Sequence, residues 1–306
     1  MSARLSPRRL LRSLLLAASF VVAAAAPSRA AAPTLSMMEQ RREQLWETGL
    51  YDAPSHPRLG KPEPGEWLAS FPEYGETPKE YRERLKPLAP ERRLLYLAPF
   101  GKLPAGTLEK LGPVLAAGLG LPWKETKLDD FKPNAWDARR RQLDASAMLA
   151  ALAPRLPEDA AALLLVVEDD LWAEPLNFVF GVANPETRVG VFSLARLDTP
   201  RRLAHLVQHE VGHVLGLDHC IYYRCLMQGV NSLAEVDANG IHLCPVCLDK
   251  LAHRVGVDPR RRAASYAKAL ERAGLAADAK TAADALAAKR FQAAPAAPTG
   301  PRARPK

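Results

Sequence analysis

Two histidines four residues apart, a glutamate directly after the first and a glycine three residues beyond the second constrain this chain more than any other feature. They lie in the run His209-Glu210-Val211-Gly212-His213-Val214-Leu215-Gly216-Leu217-Asp218-His219. On a helix, His209 and His213 project from one face, one turn apart. That spacing suits two nitrogen ligands about 2.0–2.1 Å from a zinc ion. Glu210 follows the first ligand, where its carboxylate can reach a metal-bound water without taking a coordination position. Gly216 tolerates the positive φ that lets the chain leave the helix and double back, which makes His219 available as a third ligand. Three protein ligands leave a fourth tetrahedral position open, the arrangement of a catalytic rather than a structural site. The competing reading is an amphipathic helix carrying two solvated histidines. Gly216 and His219 at fixed offsets weigh against it.

The cysteines repeat the theme of local pairs. There are four, Cys220, Cys225, Cys244 and Cys247, and none is left over. Cys244-Pro245-Val246-Cys247 is a C-x-x-C knuckle, and Cys220 and Cys225 form a slightly wider pair. Four thiolates in two such pairs suit a closed structural zinc site. Two disulfides are the alternative, and an oxidising compartment would favour them. Cys220 directly follows His219, so a structural zinc would pin the loop that supplies the third catalytic ligand.

Around these motifs the pattern is that of a mixed α/β domain beginning near residue 91. Strands are expected at Arg93–Phe100 and Leu163–Val167, and at Phe178–Ala183 and Val189–Leu194, the last two as an antiparallel pair joined by Asn184-Pro185-Glu186-Thr187. Helices are expected over Leu108–Leu119, from an Asp137 cap to about Leu152, and from Thr199-Pro200 to about Leu215, where Gly216 stops the last. Cys244–Val255 should contain a short helix, and Arg260–Leu286 an alanine-rich helical stretch. Residues 31–90 hold nine prolines, which discourage a compact domain of their own. A short helix near Met38–Trp46 and the aromatics Trp46, Trp67, Phe71, Tyr74 and Tyr81 could strap this segment across the main domain. It reads either as a pro-segment or substrate-side cover, or, by preference, as a surface-hugging extension.

The net charge of +8 suggests a nucleic-acid binder until its placement is examined. Ten cations lie in the first 30 and last 20 residues, which contain no acidic residue, so the remainder carries −2. A near-neutral middle without interleaved basic and aromatic residues argues against nucleic acid. The basic start, Arg4 to Arg12, precedes an apolar run from Leu14 to Ala26 and a small-x-small site at Ser28-Arg29-Ala30, as in an export signal. Arg8-Arg9 resembles a twin-arginine motif. The run is short for a membrane span; an uncleaved anchor is the alternative. Residues 1–30 are therefore expected to be a signal peptide, with export to the periplasm or medium and no stable membrane insertion afterwards. A basic, disordered tail is expected over residues 287–306.

His209 to His219, with Cys220, Cys225, Met227, Cys244 and Cys247, together resemble the archaemetzincins, a branch of the metzincin zinc metallopeptidases. The resemblance extends upstream through Gln142, Asp170-Leu171, Asn177 to Gly181 and Ser193 to Leu197, and covers roughly residues 91–255. It implies a small twisted mixed sheet with an antiparallel edge strand over the cleft and an active-site helix. It also implies that Met227 is the Met-turn residue beneath the catalytic metal, and that the activity is that of a peptidase, aminopeptidase-like in some members.

The organisation expected is thus a signal peptide (1–30), a proline-rich extension (31–90), a catalytic domain with a structural zinc site (91–256), and a C-terminal helix and tail (257–306). Two zinc ions are expected. The substrate would be a peptide or protein, hydrolysed by zinc-activated water with Glu210 as general base. The alternative is a catalytically inactive protein that uses the same scaffold and its zinc sites for protein binding. His205, one turn before His209, reads as a solvated or supporting histidine, and His242 as a packing residue. Tyr222 and Tyr223 could serve an oxyanion, but surface packing is preferred. Asp218 either orients a histidine or sits exposed.

Overall fold

The computed structural model describes residues 33–52 and 55–287. The expected export signal and the tail from residue 288 onward lie outside them. In chain order the elements are α1 (Leu35–Glu47), α2 (Trp67–Ser70), α3 (Pro78–Arg84), β1 (Leu94–Phe100), α4 (Thr107–Leu119), β2 (Trp123–Glu125), β3 (Trp136–Asp137), β4 (Gln142–Asp144), α5 (Ala145–Leu152), β5 (Ala160–Val167), β6 (Leu171–Ala173), β7 (Leu176–Val179), β8 (Gly181–Asn184), β9 (Val189–Ser193), α6 (Pro200–Val214), α7 (Leu233–Asn239), α8 (Pro245–Val255), α9 (Pro259–Arg272) and α10 (Ala276–Ala287).

The main sheet has the order β2-β1-β5-β9-β8. Four strands run parallel, and the edge strand β8 pairs antiparallel with β9. Every residue of β5 is buried, and period-two alternation divides them between two faces. Ala162, Leu164 and Val166 join the cluster that contains Leu111 and Leu115 of α4 and Val207, Val211 and Val214 of α6. Leu163, Leu165 and Val167 join Met148 and Leu152 of α5. Helices on both faces explain why this strand reads as an unbroken apolar run. The result is a mixed α/β fold with an antiparallel edge strand and α6 packed beneath it.

Three local expectations are corrected. Asp137 does not cap a helix; it sits in β3, and its carboxylate accepts from the Arg139 and Arg140 backbone N–H groups in a turn. The helix starts eight residues later, capped by Asp144, because residues 136–144 pair as a hairpin. Phe178–Ala183 is not one strand. The chain passes from a second sheet, β3-β4-β6-β7, into the main sheet at Phe180. Gly181 then meets α6 so closely that a β-carbon there would lie 2.9 Å from Glu210 Cγ. The alanine-rich stretch after residue 259 is two helices, because Gly274 at φ +78° turns the chain between α9 and α10.

Residues 33–90 do more than lie on the surface. Met38, Leu59, Trp67, Leu68 and Tyr81 are buried in one cluster with Tyr222, Tyr223, Leu226 and Met227. Arg42, 2% exposed, donates through Nε to Ile221 O and through Nη1 to Gly60 O. Leu59 N–H bonds Tyr222 O, and Arg224 N–H bonds Pro57 O. The extension therefore grips the loop that follows α6.

Candidate metal centre

Thr199 caps α6 by accepting from Arg202 N–H, and Pro200 occupies its first turn. Its apolar stripe faces the sheet, and the opposite side carries the histidines. At the C-terminus Gly216 has φ +86°. Leu217 N–H bonds Gly212 O, and Gly216 N–H bonds His213 O. This Schellman pairing requires a left-handed residue, which glycine adopts without strain. The reversal brings Leu217 O to His213 Nδ1 at 2.7 Å and carries His219 back over the helix. Tyr81 Oη and Arg84 Nη2 of α3 donate to Leu215 O and Gly216 O, holding the turn from outside.

The three imidazoles converge, with one nitrogen from each within 4.8 Å of the others. Each Nδ1 faces an acceptor: Leu226 O for His209 at 2.8 Å, Leu217 O for His213, and Glu73 Oε1 for His219 at 2.7 Å. Carbonyl and carboxylate oxygens only accept, so each Nδ1 carries a proton, and in the neutral ring Nε2 is the nitrogen with a free lone pair. The Nε2 atoms of His209 and His213 lie 2.9 Å apart. Two lone pairs facing one another at that distance repel unless a cation sits between them, so the donor set fits a metal ion. Burial holds His209 well below the ordinary histidine range and His213 at about 3, so both are neutral, as ligands must be. Burial acts to lower His219, but the carboxylates of Glu73, Glu210 and Asp218 together outweigh it and the net direction is upward.

Glu210 is 3% exposed and its Oε2 has no hydrogen-bond partner. Burial pushes its carboxyl up to about 7, with His219 acting in the opposite sense. A cation at the imidazoles would draw it down again. Met227 packs against α6 between His209 and His213, where a β-carbon on Gly212 would come within 2.4 Å of its Sδ.

The four cysteines are free, buried and mutually close. Cys220 and Cys244 have Sγ atoms 3.7 Å apart, and Cys225 and Cys247 3.9 Å. Disulfide sulfurs lie about 2.05 Å apart. A tetrahedron with 2.3 Å metal–sulfur bonds has edges of about 3.8 Å. The cluster matches the second geometry. Cys244 caps α8 and Cys247 lies in its first turn, while Cys220 and Cys225 come from the loop after α6. Cys220 N–H donates to Met227 O at 2.7 Å.

The remaining candidates fall outside the chemistry. His205 is fully buried rather than solvated, stacks beside His209 and is not in the converging group. His242 lies edge-on to Tyr266, and its carbonyl accepts from Leu226 N–H. Tyr222 and Tyr223 are core rather than surface residues, and Tyr223 Oη donates to Tyr51 O. Asp218 is exposed and pairs with Arg84 at 3.5 Å. Sequence reasoning missed Glu73, and it placed Trp67 only among the strapping aromatics, not edge-on to His219 with centroids 5.2 Å apart. No local spacing signals them, because they reach His219 from about 150 residues upstream.

The family model described as Peptidase family M54 matches residues 158–253. The chain is 32% identical over 183 residues to the archaemetzincin of Pyrococcus furiosus, covering 54% of this chain and 95% of that protein. It is 28% identical over 247 residues to archaemetzincin-2 of Rattus norvegicus, covering 62% and 68%. Among solved structures, the archaemetzincin of Archaeoglobus fulgidus complexed with malonate is 30% identical, with a TM-score of 0.45, over 51% of this chain and 99% of that one.

Proposed function

The chain belongs to the archaemetzincins, zinc metallopeptidases of Peptidase family M54, and from that premise we propose that it hydrolyses peptide bonds with His209, His213 and His219 as zinc ligands and Glu210 as general base. The observation that carries this reading is the triple Nδ1–H arrangement, which leaves the Nε2 atoms of three converging imidazoles to face a cation. A zinc ion held there supplies Lewis-acid polarisation of the scissile carbonyl and lowers the pKa of water toward neutrality.

The protein's own groups do the rest. Glu210, buried and with Oε2 unpartnered, takes the proton of the attacking water and returns it to the departing amine. The edge strand β8 offers main-chain groups on its unpaired side, along which an extended peptide can align. Gly181 lets that strand approach Glu210 closely. Cys220, Cys225, Cys244 and Cys247 hold a second, structural zinc, and Met227 serves as the Met-turn residue. Aminopeptidase-like cleavage and export through the N-terminal signal are parts of the same proposal.

Elemental analysis of the purified chain tests the metal count, with two zinc ions expected. Glu210→Gln is expected to keep both ions and lose at least about 100-fold in peptide turnover, the lower range for a general base. Hydrolysis retained in the metal-replete variant rejects the role. A parent enzyme with both ions and no activity on a peptide library favours the binding-protein alternative.

A further inference from the structure

His209 and His213 are oriented by carbonyls of the loop after α6, but His219 is oriented from elsewhere. Glu73 lies in the extension between α2 and α3, outside the family match at 158–253. Its Oε1 accepts the His219 Nδ1–H at 2.7 Å and the Trp67 Nε1–H at 2.6 Å. Trp67 is 5% exposed and stands edge-on to the His219 ring, closing one side of it. The tryptophan is itself fixed. Its backbone N–H donates to Glu235 Oε1 at 3.0 Å, and Glu235 Oε2 accepts from Asn231 N–H at 2.6 Å. Its ring packs on Gly229, where a β-carbon would come within 2.4 Å. The carboxylate is thus held by two donors while its side chain stays 25% exposed, and the ring it addresses is 8% exposed.

We propose that Glu73 is a positioning residue that completes the metal centre through His219, so that the segment carrying it is a working part of the centre rather than a removable cover. The inference rests on the zinc reading above. The physical reason is the cost of freedom at a ligand. His219 sits on a loop rather than on the helix, so no helical geometry sets its ring. A carboxylate on Nδ1–H selects the tautomer, fixes the rotation that aims Nε2 at the other two imidazoles, and raises the basicity of Nε2. Without it, His219 can flip and present the wrong nitrogen. Such outer partners are worth about 10-fold to 100-fold in metal affinity.

The experiment uses the full zinc-loaded chain, titrated with a chelator while zinc per chain is counted. The parent should release its ions in two steps, a weaker one from the histidines and a tighter one from the cysteines. Glu73→Ala is expected to weaken the first step about 10-fold to 100-fold and leave the second unmoved. Glu73→Gln, nearly isosteric and still able to accept, should lose less. In the cobalt-substituted protein, Glu73→Gln should shift the ligand-field bands of the histidine site and leave the thiolate charge-transfer bands unchanged. If Glu73→Ala fails to fold, the Gln variant decides by the same two readouts. A first step at parent strength with unshifted bands overturns the proposal and leaves the peptidase reading standing. Higher turnover of either variant at saturating zinc also overturns it, because it would identify Glu73 as part of an inhibitory cover. A parent that binds no ion at the histidines removes the peptidase reading itself.

Discussion

The carbonyl of Leu226 accepts the Nδ1–H of His209 at 2.8 Å. Leu226 lies between Cys225 and Met227, so one short stretch serves the cysteine cluster, the packing of Met227 against Gly212 and the tautomer of His209. His219 and Cys220 repeat the arrangement at the other end of the loop. Two of the three imidazoles are thereby tied to the cysteine cluster through adjacent backbone.

Loss of an ion from the cysteines is therefore expected to weaken one held by the histidines. Cys225→Ser is expected to empty the cysteine site and to lower zinc affinity at the histidines by about 10-fold to 100-fold, the range for disturbed outer partners. Chelator titration with zinc counting checks this. Unchanged histidine-site affinity in the variant would show that the loop holds its shape without the second metal.

Gly212 sets two magnitudes against each other. Alanine in a helix interior is favoured over glycine by about 1 kcal/mol. A β-carbon there would lie 2.4 Å from Met227 Sδ and 2.9 Å from its Cε, and Met227 is fully buried. Overpacking of this kind costs about 1–3 kcal/mol, so Gly212→Ala should be mildly destabilising overall. In a Met227→Ala background the clash is gone, and the same substitution should become stabilising. Chemical unfolding of the four proteins in the cycle gives the coupling directly.

Gly216 should resist replacement more strongly. Its φ of +86° lies in the left-handed region, where an L-residue pays about 1–2 kcal/mol. A β-carbon would also meet Leu85 Cδ1 at 2.3 Å, although that methyl ends a flexible side chain. Gly216→Ala is expected to lower stability by at least about 1 kcal/mol and to weaken zinc binding, because Leu217 O would leave His213. Thermal unfolding with and without added zinc separates the two effects: the parent should gain more from zinc than the variant does.

The convergence of the histidines and of the cysteines was legible in the sequence because it is local. A four-residue interval on a helix puts His209 and His213 on one face whatever surrounds them, and a glycine at the helix end makes the return to His219 sterically free. Two close cysteine pairs carry their geometry in their spacing for the same reason. What depended on distant partners was not legible. A capping residue at Asp137 and one at Asp144 look alike until the hairpin forms, and the break at Phe180 follows from the closeness of α6 at Glu210. Glu73 is the clearest case, because a lone glutamate in a proline-rich stretch has no pattern of its own. Only folding brings it to His219, where its carboxylate accepts from both the imidazole and Trp67.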